Sequence, residues 1–279
     1  MRRSIGVRLG FHPRGEICVM ILVSMLALAV AVSPSAAANS GSSNDLPVEV
    51  RYLGANGWAV TVGQRILIFD YQDETDPSPP PHSERNLAHG YVDPEELTGY
   101  DVYVFVTHPH FDHYDPVING WSRRIDNITY IFGWEAGTNP EHYYLDELRE
   151  QVTVEGVEIY TIYSHHSGVP EVAYLVRVDD FVIFHNGDYL ADYENDFPYL
   201  RAISDRIDVA FVIGHPDDGH QYFQQTLLMD QLFDIAHLFP MYREGEAIRC
   251  HEFAGLLAEH GVNTPVIVVE RRGDVVGLE

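Results

Sequence analysis

The side chains best suited to chemistry crowd into one stretch, Thr107-His108-Pro109-His110-Phe111-Asp112-His113. Neutral imidazole nitrogens and carboxylate oxygens are the donors that suit zinc and related divalent ions. His108 and His110, two apart in an extended turn, point the same way and can share one ion. Asp112 and His113 follow at once and offer an oxygen and a nitrogen to a second ion nearby. The stretch leaves an apolar run, Val102-Tyr103-Val104-Phe105-Val106, which reads as a buried strand.

Two later strand ends repeat this arrangement. Residues 152–163 read as a hairpin around Glu155-Gly156 that delivers Ser164-His165-His166-Ser167-Gly168 to a loop. Residues 172–178 and 181–185 read as the next hairpin, ending in His185-Asn186-Gly187-Asp188. Asp188 has two oxygens and can bridge two ions. Upstream, residues 48–53, 58–62 and 65–70 alternate as an antiparallel meander whose last residue is Asp70. Asp70 is either a plain strand-end residue or the partner that orients a metal-ligating histidine.

The remaining chain supplies a frame. The Pro-rich stretch 72–92 reads as a surface loop carrying His82 and His89 as exposed histidines. Asp93-Pro94 starts a helix, with a capping Asp and Pro in the first turn. Tyr114-Asp115-Pro116 opens a short helix toward Trp121. Residues 128–132 and 208–213 read as strands. Helices are expected over 139–150, 221–236 and 244–260, a short strand over 237–242, and a closing hairpin over 264–270 and 274–278.

The N-terminus is of another kind. Arg2, Arg3, Arg8 and Arg14 precede a nearly unbroken apolar run over 17–32, then Ser33-Pro34-Ser35-Ala36-Ala37-Ala38. This is the plan of a signal peptide over 1–38, followed by a polar linker over 39–46 and the main domain over 47–279. Cleavage would secrete the protein or leave it in the periplasm; an uncleaved segment would anchor it to a membrane. Cleavage leaves Cys250 as the sole cysteine, so no internal disulfide forms. It also removes four Arg and one Glu from the 17 basic and 42 acidic residues, and 13 and 41 remain. So acidic a surface repels phosphate backbones and argues against a nucleic-acid partner and for a small-molecule substrate.

The motif 107–113, the later His166 and the pair Gly187-Asp188 resemble the metallo-β-lactamase superfamily over about residues 48–262. Ile66-Leu67-Ile68-Phe69-Asp70 and Pro240-Met241-Tyr242 look like segments of its ascorbate-6-phosphate lactonase-like branch. The resemblance implies an α/β (α+β) fold, a four-layer αββα sandwich with the site at one edge of two sheets. It implies one or two zinc ions, with manganese or iron as alternatives. His108, His110 and His166, taken in preference to His165, would hold the first ion. Asp112, His113 and a bridging Asp188 would hold the second.

The implied reaction is hydrolysis of an ester, lactone, amide or phosphodiester by a metal-bound hydroxide. Asp112 would orient the nucleophile and carry its proton to the leaving group. The sequence departs from the family at Tyr242, where the last histidine ligand is expected. Phenols titrate near pH 10 and are poor zinc ligands at neutral pH. Either the second ion is weakly held or absent, or Tyr242 acts catalytically by donating to an oxyanion, or His215, His220 or His237 replaces the ligand. The alternative function is an exported metal-binding protein with a degenerate second site and little turnover.

Overall fold

Residues 102–106 are apolar at every position, as befits a strand covered on both faces. The structure is a computed structural model that describes residues 47–73, 76, 78–135, 137, 139, 141–242 and 245–278. The expected signal peptide and linker lie outside the described residues. Strands β1 (Val48–Gly54), β2 (Gly57–Val62), β3 (Arg65–Phe69), β4 (Asp101–Val106), β5 (Ile128–Phe132) and β6 (His142–Tyr144) lie side by side in chain order. The first three pair antiparallel and the rest parallel. A second sheet holds β7 (Gln151–Val154), β8 (Val157–His166), β9 (Val169–Val178), β10 (Phe181–His185), β11 (Arg206–Ile213) and β12 (Asp234–Met241). It is antiparallel as far as β10 and parallel beyond. Strand β13 (Val275–Leu278) returns to pair with β1.

Between the sheets lie Trp58, Phe69, Phe105, Tyr174, Phe211 and Phe239. Each fully buried Phe among them contributes roughly 1.5–3 kcal/mol. The outer face of the second sheet is covered by α1 (Tyr193–Ile203), α2 (Gln221–Leu232) and α3 (Ala247–Glu259), which bring Phe197, Phe223 and Phe253 onto Phe184 and Leu238. The outer face of the first sheet is covered by 3-10 turns at Pro94–Leu97 and Pro116–Arg123, through Leu97, Ile118 and Trp121. Asp93 and Asp115 cap these turns, and proline follows each cap. The layers are therefore αββα, one outer layer being built of 3-10 turns.

Three expectations change, and one helix was not anticipated. Residues 142–144 form edge strand β6 instead of a helix. Its backbone finds partners on β5, and the His142 ring packs on Tyr130 at 4.8 Å, side chains that suit a pleated surface. The terminal hairpin does not form: β13 pairs with β1, while Val266 bridges to Leu238. Helix α2 stops at Leu232 and β12 already begins at Asp234. Helix α1, which the sequence reading did not assign, carries an internal Pro198. Among the described residues no helix is long and apolar enough to cross a membrane.

Cys250 of α3 is buried, with its Sγ 3.6 Å from the Pro240 carbonyl. Burial pushes its thiol up to about 12. Since the thiolate is the reactive form, iodoacetamide should label Cys250 on the order of 10³-fold more slowly in the native protein than in urea. Peptide mass spectrometry reads this, and equal rates would contradict the buried placement.

Candidate metal centre

The carboxyl ends of β3, β4, β8, β10, β11 and β12 converge at one edge of the two sheets, a common place for a ligand in a mixed α/β layer. At the end of β4, Thr107 is packed closely. A Cβ on Gly133 would lie 2.2 Å from the Thr107 carbonyl oxygen, and one on Gly187 would lie 2.8 Å from the Thr107 Cβ. Glycine at both positions lets the loop 107–113 and the turn before Asp188 meet.

Asp70, just past β3 and at φ 45°, turns its carboxylate onto this loop. It accepts from Thr107 N–H at 2.7 Å and from Thr107 Oγ1 at 2.8 Å. His113 Nδ1 lies 2.7 Å from the same carboxylate and donates to it. Burial pushes the Asp70 carboxyl up, but His113, His185 and His108 outweigh it and hold it below its ordinary range. Asp70 is thus more than a plain strand-end residue: it orients the Thr107 backbone and the His113 ring. His185 is a further buried neighbour that the sequence reading passed over. Its ring stacks on Phe69, and its Nε2 lies 3.2 Å from the Asn56 carbonyl.

His108, His113 and Asp188 offer ligand atoms that all lie within 4.8 Å of one another. Around Asp188 Oδ2 stand His166 Nε2 at 3.4 Å, His113 Nε2 at 3.5 Å and His108 Nε2 at 3.9 Å. The rings of His108, His110 and His166 are separated by 4.6, 5.3 and 5.6 Å. Three imidazoles on one tetrahedral ion would stand roughly 5 Å apart, given metal–nitrogen bonds near 2 Å. The His108 Nε2 is buried and has no hydrogen-bond partner. An open lone pair among imidazoles and a carboxylate fits a divalent ion.

Electrostatics agree with that fit. Burial and the neighbouring His113 push the His108 imidazole down to about 3, so it is neutral and able to coordinate. Burial pushes the Asp188 carboxyl up, yet His113, His108 and His166 hold it well below its usual value. His113 is pushed down by burial but raised on balance by Asp188 and Asp70. Behind His108 lies Glu171, a fully buried carboxyl also missed from sequence. It accepts from Ser164 Oγ at 3.0 Å and stands 3.9 Å from His108 Nδ1. Burial and Asp188 push Glu171 well above the carboxylate range.

Beside this group lies a cleft of about 1160 Å³, which Asp112, His166, Asp188, His215, Tyr222 and Tyr242 help to line. Strand β8 continues through His166, so alternation separates the neighbouring histidines: His166 faces Asp188, while His165 is exposed and lies against Tyr163. Asp112 borders the cleft and is not part of the close His108–His113–Asp188 group. Tyr242 is also a cleft residue, and the Arg249 guanidinium lies 5.4 Å from its ring centre. His215 stacks on His220 at 3.7 Å. His220 in turn caps α2 through its Nδ1. His237 sits in β12 five residues before Tyr242, roughly 17 Å along the strand, and cannot replace a ligand at its end.

Comparison with known proteins agrees with this architecture. The profile described as "Beta-lactamase superfamily domain" matches residues 49–227, and the chain belongs to that superfamily. Its two stacked mixed sheets are the metallo-β-lactamase fold. No curated protein matches the sequence. Among solved structures, Igni18, a metallo hydrolase from Ignicoccus hospitalis, is similar with a TM-score of 0.60 at 19% identity, over 84% of this chain and 99% of that one. CmlA, a diiron β-hydroxylase from Streptomyces venezuelae, is similar with a TM-score of 0.56 at 12% identity, over 84% of this chain and 54% of that one. At such identities the likeness is one of fold, and neither structure singles out the ascorbate-6-phosphate lactonase-like branch.

Asp70 holds Thr107 and His113 through three buried hydrogen bonds. Asp70→Asn places an amide N–H against one of these donors. It should cost about 3–5 kcal/mol of stability in urea denaturation, the usual loss when a buried pair is broken. A loss under about 1 kcal/mol would show that Asp70 does not bear this load.

Proposed function

We propose that this chain is an exported metal-dependent hydrolase acting on a small molecule. The open, buried Nε2 of His108, set beside His166 and Asp188, carries the reading. His108, His110, His166 and Asp188 are the proposed ligands, and zinc is the proposed ion, with manganese or iron as alternatives. When bound, such an ion supplies Lewis acidity and lowers the pKa of water from 15.7 toward about 7. Thr107, Asp70 and Glu171 hold the ligands in place, so little reorganisation is needed when substrate arrives.

The cleft residues suit the remaining roles. Asp112 orients the attacking water and passes its proton to the leaving group. Tyr242 donates a hydrogen bond to the oxyanion that develops on the substrate. The bond cleaved is an ester, lactone, amide or phosphodiester; the resemblance to the lactonase-like branch makes lactones the first to try. Asp112, Asp188 and Glu246 on the cleft wall make it unfavourable to a nucleic-acid strand. Export rests on the sequence of residues 1–38 alone.

Elemental analysis of the purified protein together with a panel of ester, lactone, amide and phosphodiester substrates tests the reading. His108→Ala should lose the ion, and turnover should fall to the uncatalysed background. Undiminished turnover in a metal-free His108→Ala/Asp188→Ala double variant would refute it. Tyr242→Phe should keep its metal content and lose roughly 10²–10³-fold in kcat, the usual effect of removing one oxyanion donor. A second reading, a metal-binding protein without turnover, is favoured by Tyr242 standing where a histidine ligand is expected. Bound metal with no activity on any panel member would support that reading instead.

A further inference from the structure

Two buried imidazoles of the centre are treated differently by their surroundings. His108 Nε2 has no partner. His113 Nε2, by contrast, lies 2.8 Å from Asn56 Nδ2, a hydrogen-bonding distance. Its other ring nitrogen is already committed to Asp70 at 2.7 Å. Protein groups therefore hold both nitrogens of His113, whereas a metal ligand must offer a free lone pair.

We propose that Asn56 closes the second half of the metal centre, so that the chain binds one metal ion. Its carboxamide takes the His113 nitrogen that would face an ion, and the ion sits instead on His108, His110, His166 and Asp188. The inference rests on the metal-hydrolase reading and sharpens it. The carboxamide serves either form of the ring: Nδ2–H donates to the neutral nitrogen, or, turned over, Oδ1 accepts from the imidazolium.

Asn56 is fixed where it stands. It lies in the β1–β2 turn, where Gly54 and Ala55 have φ of 95° and 46°. Its own carbonyl accepts from His185 Nε2 at 3.2 Å, and its Nδ2 also reaches the Asp112 carbonyl at 3.4 Å. Next to it, a Cβ at Gly57 would meet the Gly54 oxygen at 2.9 Å and the Asp70 oxygen at 3.1 Å, so the turn is closely packed from within. Only 8% of Asn56 is exposed, and it borders the cleft on the side of the centre. Tyr242, where the resemblance expects the last histidine of this half, supplies no imidazole. The half-centre thus lacks a ligand and carries a plug, and restoring the ligand alone leaves the plug in place.

Metal stoichiometry separates the two. Wild type, Tyr242→His and Asn56→Ala/Tyr242→His are each loaded with excess zinc, desalted, checked for fold by circular dichroism and analysed by plasma mass spectrometry. The proposal expects one ion in the wild type, one in Tyr242→His and two in the double variant. Two ions in the wild type or in Tyr242→His overturn it, as does one ion in a natively folded double variant. Long-range ¹H–¹⁵N spectra of zinc-loaded wild type give a reading that needs no variant. The His113 Nε2 resonance should stay outside the metal-bound range, and a zinc-shifted resonance overturns the proposal. A wild type that takes up no ion fails in a different way and refutes the metal reading itself.

Discussion

The Asp70 carboxylate is the tie on which the centre depends. It joins the end of β3 to the end of β4 through both Thr107 hydrogen bonds, and it fixes the His113 ring through Nδ1. Removing a carboxylate from water is costly, and the three donors with the nearby imidazoles offset that cost. The consequence runs outward. With Thr107 fixed and packed against Gly133 and Gly187, His108 faces Asp188 and the two sheets meet at the site edge in one register.

The centre is built on strand ends more than on free loops. His166 is the last residue of β8, Asp188 lies three residues beyond β10, and the 107–113 loop leaves β4. Paired strands thus set the spacing at which these segments enter the site. On the cleft side, Tyr242 sits just past β12, and Phe111 projects from the 107–113 loop with 81% of its surface exposed.

Much of the fold was legible in the sequence. The meander of residues 48–69, the apolar run of β4 and the hairpins β7–β8 and β9–β10 follow from alternation and turn residues, because those signals are local. The same locality misled over residues 142–144, where pairing with β5 overrides the expected helix, and over β13, whose partner is β1 at the other end of the chain. Helix α1, unassigned in the sequence reading, tolerates Pro198 because Phe197 and Leu200 pack into the core. His166 could be preferred to His165 only weakly from sequence; strand alternation through residue 166 separates them.

By itself the sequence determined the chemistry available: imidazoles and carboxylates in a fixed order after strand ends, and a phenol at position 242. These are matters of composition and near-neighbour spacing. Only the tertiary structure decided which nitrogen is free and which is taken. Asn56 lies 57 residues from His113, Asp70 lies 43 residues from it, and His185 lies 129 residues from Asn56. No local pattern encodes those approaches. They arise when two sheets close over a shared apolar core and bring buried polar groups within hydrogen-bond reach, where each must find a partner or a metal.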